Sequence, residues 1–148
     1  MARFEFPARG DMPPLTLSWY DGGLKPPRPE ELEPGRGMGD VLYIGEKGKM
    51  MGHRLIPESA MQSYGRPPKT LPRSPGHDEE WVAACRGGPP AGSNFMDHSG
   101  LLTEVCLLGN VAVRAGTKLE WDGPNLKITN DEGANQYLHR ECRDGWTL

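Results

Sequence analysis

The longest apolar pattern in the chain lies between Ser99 and Gly116. Leu101, Val105, Leu108 and Ala112 fall on one helical stripe and Leu102, Cys106, Gly109 and Val113 on the next, a wider apolar face than a surface helix needs. The pattern predicts a helix of about 16 residues, roughly 24 Å long, sandwiched between other elements. Ser99 is the candidate N-cap and Gly116 the candidate stop. Gly109 costs such a helix about 1 kcal/mol of propensity, which implies that another backbone passes close by.

Alternation of period two marks the strands. Phe4 and Phe6 share one face of the segment from Arg3 to Phe6, and Leu15, Leu17 and Trp19 repeat the pattern. Val41–Ile44 and Lys49–Arg54 flank the turn chemistry of Gly45–Gly48, the clearest hairpin in the sequence. Leu119 and Trp121, then Leu126 and Ile128, alternate on either side of a second turn. Ser74-Pro75 opens a short helix with Asp78, Glu79 and Glu80 in its first turn, stopped by Gly87-Gly88. Thr129 with Glu132 spells a capping box for a final helix along Ala134, Tyr137, Leu138 and Cys142. The Pro-rich stretches from Leu24 to Gly39 and from Leu55 to Gly76 read as long loops over the surface. Together these elements predict an α+β fold, a mostly antiparallel open β-sheet with helices packed on one face.

Composition narrows the picture. The 148 residues suit one domain, and 20 Gly with 15 Pro demand much ordered loop. A formal charge of −3 with the signs interspersed leaves no basic footprint, so no nucleic-acid partner is expected. No apolar run approaches the ~18 residues of a membrane helix, and Met1–Asp11 is too polar for a signal peptide. The compartment stays open. Cys85, Cys106 and Cys142 lack the spacing of a disulfide framework or zinc site and read as small buried hydrophobes.

Several strings then stand in a telling order: WYDGG at 19–23, YIGEKGK at 43–49, SPGHDEEW at 74–81, GSNF at 92–95, LLTEVCLLGNVAVRAG at 101–116, LEWDGPNLKITN at 119–130 and RECRDGW at 140–146. They resemble the C-terminal domain of the glucose-fructose oxidoreductase, inositol dehydrogenase and MocA-like family, bacterial type, across nearly the whole chain. The resemblance implies the substrate half of an NAD- or NADP-dependent oxidoreductase acting on a sugar, cyclitol or glycoside. Its partners would be an N-terminal Rossmann domain, absent from this chain, and further copies in a homo-oligomer formed through the sheet.

The departures from that family matter as much. The dinucleotide fingerprint G-x-G-x-x-G is missing, so no cofactor is expected on this chain alone. The family's Glu-Lys-Pro motif is missing too, because Gly48 follows Glu46-Lys47. Its Asp-x-x-x-His pair is imitated only by Asn135 and His139. The chain is therefore expected to be inactive by itself, with no catalytic residue and no metal site. Its candidate substrate contacts are His77 at a helix start, Asn94 and Asp97 in the loop before the long helix, and Glu104 on that helix. Each has a structural alternative: local bonding for His77, turn and capping chemistry for Asn94 and Asp97, and pairing with Arg114 or another basic group for Glu104. Trp19, Trp81, Trp121 and Trp146 read as core or as stacking surfaces for a sugar ring. The competing functional readings are a non-catalytic binding or assembly module that has lost its dinucleotide-binding partner, and a free-standing carbohydrate binder.

Overall fold

The alternating segments at the N-terminus pair with each other. In the computed structural model, which describes residues 1–146, Ala2–Phe6 (β1) runs antiparallel to Leu15–Trp19 (β2) with Phe4 opposite Leu17. Leu42–Gly45 (β3) and Gly48–Met51 (β4) form the second hairpin with Glu46-Lys47 at its tip, and Arg54–Ile56 (β5) adds a third strand. The sequence reading ran β4 on to Arg54. The positive φ of 58° at Gly52 turns the chain there and frees Arg54 to begin a new strand. Glu58–Tyr64 (α1), His77–Cys85 (α2) and Gly100–Ala115 (α3) are helical, and Trp121–Asp122 (β6) pairs with Lys127–Ile128 (β7). The fold is α+β, its strands divided among three small antiparallel sheets.

Two compact units contain these elements: Gly23–Arg73 is one, and Met1–Gly22 with the chain from Ser74 onward is the other. In the first, the Pro-rich loop is held as a defined structure. Arg28 donates to the carbonyls of Leu32, Glu33 and Arg36, and Leu32 and Ile56 are buried. Glu58 bonds Arg54 at 2.6 Å and Arg36 at 3.1 Å, while its backbone N–H donates to Glu33. Helix α1 lies where the sequence shows only loop composition, because its seven residues are too few to display a helical period.

In the other unit, α3 ends at Gly116 in the left-handed conformation, φ 69°. Its start differs from the expectation. Ser99 is already helical and its hydroxyl donates to the Ser93 carbonyl, so the cap is Asn94, whose Oδ1 accepts the Asp97 N–H ahead of a π-turn over Phe95–Ser99. Gly109 does mark a close approach, but by a side chain. A Cβ there would lie 2.9 Å from Cζ of Phe4 and 3.7 Å from Cβ of Ala2, both on β1. On its other side α3 packs Val111 against Ile128, Ala134, Trp121 and Tyr137.

Two asparagines complete the short β6–β7 hairpin. Asn130 accepts the Glu120 N–H and donates to the Lys118 carbonyl, and Asn135 accepts the Ile128 N–H at 2.9 Å and donates to the Ile128 carbonyl at 3.1 Å. The last helix is a 3₁₀ segment, Glu132–Tyr137, capped by Asp131 instead of Thr129, whose hydroxyl donates to the Glu120 carbonyl.

Burial is sparse. Besides Leu32 and Ile56, the buried apolar side chains among the described residues are Val111, Ile128 and Ala134. Helix α3 thus has elements on two sides, as its wide apolar face predicts, but they do not cover it: Leu101, Leu102, Leu107 and Val113 stay exposed. The three cysteines are exposed as well, as are Trp19, Trp81 and Trp146. The accessible surface is 12821 Å². Many large apolar side chains are exposed, among them Leu15, Leu71, Phe95 and Met96.

Candidate functional site

Two clefts carry the polar candidates, both within the unit that contains α2 and α3. The first, about 580 Å³, lies between the start of α2 and the loop at Ala91–Ser93. Glu80 shapes it. One carboxylate oxygen accepts the Ser74 hydroxyl and the other the Gly92 N–H, each at 2.6 Å, so the acid side of α2 ties both walls together. The Ser74 bond first, then the Gly92 bond, hold the Glu80 carboxyl below the ordinary range, against a smaller opposing effect of burial. His77 and Trp81 complete the lining, and the indole is 65% exposed. The imidazole of His77 lines the same cleft and adds a hydrogen-bonding side chain beside the Glu80 carboxylate.

The second cleft, about 500 Å³, runs along α3 toward β6 and the chain after the 3₁₀ segment. Leu107, Leu108, Val111 and Leu138 supply apolar lining. Glu104 lines it too, and its Oε1 accepts the indole N–H of Trp121 at 2.7 Å. Arg114 is not its partner; the guanidinium lies 4.4 Å from the centroid of the Tyr137 ring. Asn110 and His139 also line this cleft.

The four candidate residues thus do not converge. His77 belongs to the first cleft and Glu104 to the second. Asn94 spends its side chain on the cap, accepting from the Asp97 N–H and donating to the Ala91 carbonyl, and Asp97 contributes that N–H while its side chain is exposed. Asn135 is occupied with β7, so its amide belongs to the hairpin. The sequence reading missed Glu80 as the tie of the first cleft and Trp121 as the partner of Glu104. The spacing Ser74–Gly76–Glu80 was a visible signal for the former, whereas the separation of 17 positions between Glu104 and Trp121 hid the latter.

Gly35, Gly37 and Gly39 lie in the loop that enters β3, with no helix opening after them, and Gly39 is where a Cβ would meet Met51 Cγ at 3.1 Å. Among the described residues no group of three or more His, Cys, Asp and Glu could hold a metal ion, and no helix is long and apolar enough to cross a membrane. The class defined by fold and clefts is an α+β protein with two amphipathic clefts and extensive uncovered apolar surface. No protein-family model and no curated protein matches the chain.

Proposed function

We propose that this chain is the substrate and assembly portion of an NAD(P)-dependent oxidoreductase acting on a sugar, cyclitol or glycoside. The observation that carries the reading is the ordered run of family-like strings from Trp19 to Trp146. The uncovered apolar surface supports it, since a part of a larger enzyme leaves such surface for the remainder to cover. In this reading nicotinamide cofactor and hydride transfer belong to a dinucleotide-binding portion, and the sequence of this chain has no G-x-G-x-x-G fingerprint.

The role of the chain is to seat the polyol. In the first cleft the indole of Trp81 offers a flat apolar face to the C–H side of a sugar ring, and His77 offers a hydrogen bond to a hydroxyl. Glu104, fixed by Trp121, offers a second oriented acceptor in the other cleft.

Titration of the purified chain with NAD(H), then with a panel of sugars and cyclitols read by tryptophan fluorescence, tests this reading. The expected outcome is no saturable NAD(H) binding, and a fluorescence change with a polyol that is lost in Trp81→Ala. Full dehydrogenase activity from this chain alone would sink the proposal. A polyol panel without any fluorescence change would remove the substrate-seating role.

A further inference from the structure

We propose that the cleft along α3 binds a small amphipathic monocarboxylate, with its carboxylate on Arg114 and its apolar body along the leucines; this goes beyond the polyol seat and does not rest on it. Glu104, Leu107, Leu108, Val111 and Arg114 recur at i, i+3, i+4, i+7 and i+10, so one face of the helix supplies about three turns of lining. Leu138, from the chain after the 3₁₀ segment, adds to the apolar part. The volume of about 500 Å³ falls within the roughly 300–1,000 Å³ of small-molecule sites. A lining dominated by leucine and valine favours a hydrocarbon body, because it leaves the hydroxyls of a sugar ring without partners.

Arg114 decides the head group. It forms no ion pair among the described residues. The guanidinium carbon lies over the Tyr137 ring, 4.4 Å from its centroid. That stacking occupies a face of the group and leaves the N–H bonds in its plane for an acceptor. A carboxylate matches the planar fork with two parallel hydrogen bonds. Asn110, four positions earlier on the same helix, also lines the cleft and adds an amide donor.

The charges limit the ligand further. Glu104 and Arg114 stand about 15 Å apart along the helix axis, whereas exposed charges are screened over about 8 Å at physiological salt. The Oε1 of Glu104 is engaged by the Trp121 indole, so the acid end of the cleft does not compete for the guanidinium. One guanidinium balances one negative charge. A phosphate dianion would bring a second charge against leucine lining without a partner, and its desolvation opposes binding.

Isothermal titration of the full chain with octanoate, and with octanol as the neutral counterpart, tests the proposal. Octanoate is expected to bind at one site, about tenfold or more tighter than octanol. Arg114→Gln is expected to bring octanoate down to the octanol affinity, and Arg114→Lys, which keeps the charge without the fork, to fall between. Far-ultraviolet circular dichroism checks that both variants fold. If they do not, Leu107→Glu carries the test: that side chain is 57% exposed, and a carboxylate placed there is expected to abolish octanoate binding without disturbing the helix. Absence of saturable octanoate binding overturns the proposal, as does equal affinity for octanol or an octanoate affinity unchanged in the folded variants. The polyol response is read through Trp81 in the other cleft, so its failure and the failure of this site are distinguishable.

Discussion

Replacing Gly109 by alanine sets two effects of similar size against each other. In a helix interior the change is worth about 1 kcal/mol of added stability. The new Cβ, however, lies 2.9 Å from Cζ of Phe4, well inside the ~3.5–4.0 Å at which two carbons attract. Overpacking of this kind costs about 1–3 kcal/mol, and a mid-range cost of about 2 kcal/mol suits a ring tip that must tilt to make room. Gly109→Ala is therefore expected to destabilise by about 1 kcal/mol net.

Phe4→Leu removes Cζ, and in that background the same alanine meets no ring and is expected to stabilise by about 1 kcal/mol. The coupling between the two positions is then about 2 kcal/mol, measurable as a double-mutant cycle from urea unfolding followed by helical circular dichroism. If alanine at 109 shifts stability equally in both backgrounds, within about 0.5 kcal/mol, the glycine is not there to admit Phe4 and the packing argument fails.

Asn135→Ala leaves both backbone groups of Ile128 without the amide that pairs them, so a loss of about 2 kcal/mol is expected in thermal or urea unfolding. An unchanged melting point would mean that water replaces the amide without cost. Glu104→Leu strands the Trp121 indole N–H and is expected to cost about 1–2 kcal/mol, whereas Glu104→Gln keeps an acceptor and costs less; equal effects would show that the bond is unimportant. Acid sensitivity follows from the lowered pKa values of Glu31, Glu33, Glu58 and Glu80. Carboxyls with depressed folded values contribute stability that is present above the ordinary value of 4.5 and is lost as pH falls through the depressed values. Stability should thus decline below about pH 4.5, and Glu58→Gln should flatten that decline by removing the carboxylate held by Arg54 and Arg36. A variant with an unchanged acid slope would remove Glu58 from the account.

Much of the candidate chemistry was legible as residue type and little of it as geometry. The stretch Ser74–Trp81 announced a helix start with polar and aromatic groups, and the cleft beside α2 contains His77, Glu80 and Trp81 together. Asn94 announced itself equally as cap or ligand, and only coordinates show its amide spent on Asp97 and Ala91. Glu104 asked for a partner, and a search for opposite charge pointed to Arg114. The structure satisfies it with a neutral indole N–H from β6, a choice that depends on how α3 meets that hairpin.

What the sequence determined by itself is whatever depends on neighbours within a few residues. The span and left-handed stop of α3, the turn at Glu46-Lys47, the acidic first turn of α2 and the α+β class all follow from periodicity, glycine conformation and local charge. Tertiary structure decided which apolar stripes are covered, which asparagines stand in for strand partners and where Arg28 fixes a proline-rich loop. Coverage of the stripes depends on segments far apart in the chain meeting in space, whereas the Arg28 and Asn135 bonds join near neighbours through loop geometry that residue type alone does not give. An apolar face in sequence states only that something must cover it, and α3 and β2 keep part of that demand exposed.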